Sequence, residues 1–178
     1  MSILITVLLT IAGIVALLFI IALFTKKEYA IVRNININKS KDDVFNYIKL
    51  LRNQDYFSKW VMTDPNMKKT FTGTDGIIGF IYAWDGNKKA GAGEQEIKKI
   101  REGERIDTEV RFIRPFAGLA NLSFTTTPVT NNQTTVTWGM TSSMKYPMNI
   151  MLLLMNMEKM LGNDMETSLN TLKGILEK

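Results

Sequence analysis

YPMNIMLLLMNMEKMLGNDMETSLNTLKGILEK, residues Tyr146 to Lys178, is the stretch that decides the fold. Ile150, Leu153, Leu154, Met157, Leu161, Met165, Ser168, Leu169, Leu172 and Ile175 recur in it at three- and four-residue steps, the period of one apolar helix face. Pro147 suits the first turn of a helix, where its missing N–H costs nothing. The spacing predicts one helix of about thirty residues, or 45 Å at 1.5 Å per residue. From Met148 to Met157 only the two asparagines are polar. That third of the helix must be buried on several sides, or touch something apolar that is not protein.

Upstream the period is two. Tyr29 to Asn38 alternates, with Ile31, Arg33, Ile35 and Ile37 on one face, and reads as a strand. Ser40 with Asp43 three residues on resembles a capping box for a helix whose buried stripe is Val44, Phe45, Ile48 and Leu51. Capping and the helix dipole account for Asp42 and Asp43 better than catalysis does. Asn53 to Trp60 reads as a second short helix. Met67–Thr72, Gly79–Trp84, Gly93–Ile100, Arg105–Arg114, Leu119–Thr127 and Thr134–Met144 read as six further strands. Turn residues separate them at Asp75-Gly76, Asp85-Gly86-Asn87, Glu102-Gly103, Pro115 and Asn131-Asn132. Connections this short make sequential strands antiparallel neighbours. The expected class is α+β: a curved seven-stranded antiparallel sheet wrapped on the long C-terminal helix, with the two short helices closing one end.

Ile3–Phe24 stands apart. It carries no charge, and at 1.5 Å per residue it spans about 33 Å, enough for a hydrocarbon core. A cleaved signal peptide would show a basic n-region, a shorter apolar run and a small-residue cleavage site, none of which is evident. Residues 1–27 are therefore expected to be a transmembrane anchor, and 28–178 one ligand-binding domain. Lys26 and Lys27 follow the apolar run with no basic residue before it, so the positive-inside rule places the domain in the cytoplasm of a single-pass protein.

Composition excludes several chemistries. The chain has no histidine and no cysteine, which removes Ser-His triads, thiol nucleophiles and the usual zinc sites. The net charge of +5 comes from scattered lysines, without the clustered basic face and stacking aromatics of a nucleic-acid surface; no nucleic-acid partner is expected. Gly91-Ala92-Gly93 leads into a strand and lacks a third glycine, so it is no phosphate cradle and instead lets the sheet bend. The Asn121 and Asn132 triplets that match the glycosylation pattern are discarded as chance occurrences.

Residues 29–178 resemble the START-like, helix-grip superfamily, and within it the bacterial polyketide cyclase/dehydrase-type (SRPBCC) proteins. The resemblance rests on the opening strand into Val44-Phe45-Asn46-Tyr47-Ile48; Trp60; Gly79-Phe80-x-Tyr82-x-Trp84-x-Gly86; Gly91-x-Gly93; Phe112-x-x-Pro115; Thr134-x-Val136-x-Trp138; and Leu169-x-x-Leu172-Lys173. No one of these is specific; their order and spacing are. The resemblance implies an apolar cavity between the concave sheet and the long helix, used for lipids, sterols, polyketides or similar ligands. Some relatives catalyse cyclisation or dehydration and others only carry a ligand, so fold alone leaves activity open.

Strand parity sorts the side chains. Thr108, Val110 and Phe112 share one face, which sends Asp107, Glu109 and Arg111 to the other; Gln95 and Ile97 point inward and Glu94 and Glu96 outward. Arg111 and Glu109 then pair across strands on the solvated side. The expected pocket is lined by Trp84, Gln95, Thr108, Val110, Phe112, Phe124, Trp138, Met151 and Met155. Eight of the eleven methionines fall between Met140 and Met165; they read either as ordinary core filling or as an adaptable cavity wall or portal facing the bilayer. No catalytic, metal or cofactor-binding residue is assigned and no cofactor is expected. The leading reading is a membrane-anchored, non-enzymatic binder of a hydrophobic small molecule or lipid. The alternatives are an enzyme on a hydrophobic substrate, with Tyr82, Gln95 or Arg111 as polar anchor, and a regulatory module without ligand. Protein partners stay open.

Overall fold

Period-two alternation becomes seven strands: β1 (Glu28–Ile37), β2 (Lys68–Thr72), β3 (Ile81–Asp85), β4 (Ala92–Arg101), β5 (Arg105–Arg114), β6 (Gly118–Thr130) and β7 (Gln133–Ser143). The computed structural model, which describes residues 2–178, orders them β1-β7-β6-β5-β4-β3-β2 in one antiparallel sheet. From β2 to β7 neighbours in sequence are neighbours in space. The first strand then pairs with the last, Ile31 opposite Met140 and Ile37 opposite Thr134. Parity holds along β5, where Ile106, Thr108 and Val110 are buried while Asp107, Glu109 and Arg111 stay partly exposed.

The sheet bends where β4 begins. Gly91 has φ +66° and the ladder shifts register between Ala92 and Gly93, the mark of a bulge. A Cβ on Gly93 would lie 2.6 Å from the Arg111 carbonyl oxygen and 2.8 Å from the Trp84 ring. Only glycine lets the indole lie against the backbone there.

α2 (Lys41–Lys49) starts as its capping residues require: Ser40 Oγ accepts from the Asp43 N–H at 3.2 Å and donates to the Asp43 carboxylate at 2.7 Å. A 3₁₀ turn (Leu51–Asn53), α3 (Gln54–Phe57) and α4 (Lys59–Met62) follow. Asp75 holds this turn by accepting from the N–H groups of Leu51 and Arg52 at 2.8 and 3.1 Å.

The C-terminal segment differs from the single thirty-residue helix expected. A 3₁₀ turn (Met148–Ile150) and the one-turn α5 (Met151–Leu154) precede a break, and α6 runs from Met157 to Leu176. Met155 is extended (φ −111°, ψ 128°), and Asn156 caps α6 by accepting from the Lys159 N–H at 2.9 Å. Asn156 as N-cap starts the helix here. Asn149 holds the preceding segment elsewhere, through its bonds to the end of α1 (Ile3–Phe24). Of the expected stripe, Met165, Ser168, Leu169 and Leu172 are fully buried on the sheet. α6 crosses β1 closely: a Cβ on Gly162 would overlap the Arg33 guanidinium, which pairs with Glu158 and Glu166 at 2.8 and 2.6 Å.

The packed core occupies one end of the sheet. Ile37, Phe45, Ile48, Ile106, Val136 and Leu172 are each 2% exposed or less. α1 leaves from the opposite end, with its apolar side chains exposed apart from Ala22, which is buried.

Candidate ligand-binding cavity

Between the packed core and the α1 end, the concave face holds a cavity of about 280 Å³. The sheet supplies Tyr82 and Trp84 from β3, Gln95 from β4, Val110 and Phe112 from β5, Ala120 and Leu122 from β6, and Trp138 and Met140 from β7. Gln54, Ser58 and Trp60 from α3 and α4, with Leu161 from α6, form the cover. A small residue leaves room: Ala120 stands opposite Val110 in the ladder and borders the space. The exposed members of the lining, Thr63, Lys89, Arg114 and Pro115, mark the mouth.

The aromatic wall is ordered by contacts among its own rings. Trp138 stacks on Phe124 with centroids 4.7 Å apart and meets Trp60 edge-to-face at 5.4 Å; Trp84 meets Phe112 edge-to-face at 6.3 Å. Such pairs add to area burial and fix ring planes. Trp60 Nε1 donates to Asp164 at 3.1 Å, which ties the cover to α6.

Few polar groups face inward, and most are matched. Gln95 Nε2 donates to Thr108 Oγ1 at 2.9 Å. The Tyr82 hydroxyl donates to Asp55 at 2.6 Å, and Asp55 pairs with Lys69 at 2.9 Å. Burial, reinforced by the Asp55 carboxylate, pushes the Tyr82 phenol well above its ordinary pKa, so it stays a neutral donor. Gln54 Nε2 and Trp138 Nε1 are buried without an acceptor among the described residues.

On the convex side Arg111 binds Glu94, Glu96 and Glu109 at once, the first two at 2.6 and 2.8 Å. Hydrogen bonds from Arg111, then Lys98, hold the Glu96 carboxyl below its ordinary pKa, and the carboxylates raise that of Arg111. This cluster faces away from the cavity and is structural.

The nine residues read from the sequence fall into three places. Trp84, Gln95, Val110, Phe112 and Trp138 stand on the wall. Thr108 and Phe124 lie one layer behind it, as partners of Gln95 and Trp138. Met151 and Met155 are not there. The break in the helix before α6 carries them away from the sheet, and Met155 lines an open groove with Ile20 and Phe24 of α1. Leu161 takes the position the helix was expected to fill with those methionines. Ala120, Leu122 and Met140 were legible, since they share parity with Phe124 and Trp138. Gln54 and Ser58 gave no signal, because two polar residues in a short helix do not announce which face is buried.

No protein-family model matches the chain, and no curated protein is similar to it in sequence. Solved structures with the same fold are found at low identity. Norcoclaurine synthase from Thalictrum flavum, in complex with dopamine and hydroxybenzaldehyde, superimposes with a TM-score of 0.63 at 10% identity, over 88% of this chain and 90% of that one. The di-domain ARO/CYC protein StfQ of the steffimycin biosynthetic pathway gives 0.61 at 13% identity, over 85% of this chain and 51% of that one. The Aha1 dimer from Colwellia psychrerythraea gives 0.58 at 15% identity, over 84% and 96%. The chain thus has the helix-grip fold, a curved seven-stranded antiparallel sheet around a long C-terminal helix.

Proposed function

We propose that the protein binds or carries a hydrophobic small molecule or lipid in this cavity, as a START-like domain (residues 28–178) of polyketide cyclase/dehydrase type. Residues 1–27 tether it to a membrane, with the domain on the cytoplasmic side that Lys26 and Lys27 favour. The observation that carries the reading is the cavity of about 280 Å³ with its aromatic wall. It sits at the lower edge of the roughly 300–1,000 Å³ typical of ligand sites, a fit for one acyl chain or a small ring system. That norcoclaurine synthase holds aromatic compounds supports a similar class of guest here.

Binding without chemistry is favoured by what lines the interior. Gln54, Ser58 and Gln95 are neutral, and the ionisable Lys89 and Arg114 stand exposed at the mouth. Tyr82 is the one ionisable side chain set deep, and its raised pKa makes it a poor acid and keeps the phenolate out of reach.

Organic extraction of the full chain purified in mild detergent, followed by mass spectrometry, tests this. An apolar compound should co-purify with the protein and be lost from Ala120→Trp, whose indole fills the cavity, while thermal unfolding stays cooperative. Equal recovery from both proteins, or none from either, rejects the cavity as its binding site.

A further inference from the structure

The cavity mouth and the exit of α1 lie at one end of the sheet. β1 begins at Glu28, three residues after Thr25. Glu28 is level with Ser143, and Ser142 with Ala120, so the β5–β6 turn carrying Phe116 projects where α1 leaves. At about 4.8 Å per strand, β5 is on the order of 14 Å to the side of β1.

The segment between β7 and α6 comes closer still. Asn149 is fully buried, and its Nδ2 donates to the carbonyls of Ala22 and Thr25 at 2.7 and 3.0 Å. The last carbonyls of a helix lack intrahelical donors, so this side chain finishes α1 from outside it. The rings of Tyr146 and Phe19 are 6.1 Å apart. Phe19 lies about 8 Å back from the end of α1 at 1.5 Å per residue. A chain packed there shares that depth.

Large apolar side chains at this end are bare. Phe116 is 72% exposed, Ile113 62%, Leu153 62% and Leu154 73%. Exposed Lys26, Lys27, Lys88, Lys89 and Lys145 surround them, against Glu28 and an Asp85 already paired with Arg114. Apolar wedges ringed by cations suit an interface of acyl chains under anionic headgroups.

We propose that this end of the domain is seated in the bilayer surface through the Phe116 turn and the Met148–Met155 segment. The cavity mouth at Lys89 and Pro115 then opens onto the membrane, and an apolar guest passes between bilayer and cavity without crossing water. The proposal rests on α1 being a membrane anchor, and the test separates the two.

The chain has no cysteine, so single cysteines can report position in the full chain. Ile14→Cys, Phe116→Cys, Leu154→Cys and Asn131→Cys would each be spin-labelled and reconstituted in phosphatidylethanolamine–phosphatidylglycerol vesicles. Asn131 lies in the β6–β7 turn at the other end of the thirteen-residue β6, about 40 Å away at 3.3 Å per residue. The ratio of collision with oxygen to collision with an aqueous nickel chelate should be several-fold higher at 14, 116 and 154 than at 131. Aqueous values at 116 and 154 with a lipid value at 14 overturn the seating and leave the anchor standing. An aqueous value at 14 overturns both.

Discussion

The two ends of the sheet are built from the same strands with opposite results. Along β5, Ile106 is 1% exposed in the packed end while Phe112 is only partly buried at the mouth. Along β4, Ile97 is fully buried in the packed end, while Gln95 nearer the mouth lines the cavity. At the packed end, α2 and the C-terminal half of α6 cover the sheet, and single polar groups lock the loops. Thr134 Oγ1 donates to the Lys39 carbonyl at 2.9 Å, and Glu177 accepts from the Asn38 N–H at 2.6 Å. At the other end the sheet is covered by short helices and a broken one. Dense packing occupies one half and open space the other, because the two cannot share a place.

Truncation on each side should break or keep that contrast most visibly. Leu169→Ala, in the packed half at 1% exposure, should cost about 2–5 kcal/mol. Leu161→Ala, on the cavity cover, should cost about 1 kcal/mol, since one side of that side chain already faces space. Urea denaturation of both variants measures the difference; equal losses would mean that the two halves form one uniform core.

The convex face offers a control that touches neither half's interior. Glu96 has a lowered pKa in the folded protein, so its contribution is present above the ordinary carboxylate pKa and is lost as pH falls through the folded value. Arg111→Gln removes the main cause. It should lower stability by no more than about 1 kcal/mol near neutral pH, since the cluster is solvent-screened. The gap to the unsubstituted protein should close on acidification below about pH 4.5. Melting temperature against pH follows this, with extracted ligand unchanged. A gap that widens in acid would place the cluster's role elsewhere.

Filling the space sharpens the contrast further. Ala120 is fully buried and borders the cavity. Ala120→Leu should change stability by less than about 1 kcal/mol where a void receives the added atoms, against 1–3 kcal/mol in a packed site. Ligand recovery should fall strongly. Smallest of all is Gln54→Leu, which removes an unmatched buried donor. Stability should stay level or rise by about 1 kcal/mol, read by urea denaturation; a loss would mean that the Gln54 amide makes a bond worth more than its burial costs.

The sequence by itself determined the strands, the parity of their faces, the Ser40 cap of α2 and the bounds of α1. Each depends on residues within a few positions: Ser40 finds Asp43 and Val110 is separated from Arg111 by the pleat alone. Thr134-x-Val136-x-Trp138 and its companions likewise carry the resemblance that implies the helix-grip arrangement. Tertiary structure decided where the last helix begins. The apolar period from Ile150 to Ile175 is continuous, and the Asn156 N-cap that starts α6 lies inside it without interrupting the pattern. Asn149 ties the segment before the break to carbonyls more than a hundred residues away at the end of α1, a partner no window of sequence contains. With the helix broken there, Met151 and Met155 lie outside the cavity lining, Leu161 stands on its cover, and an apolar turn sits beside the end of α1.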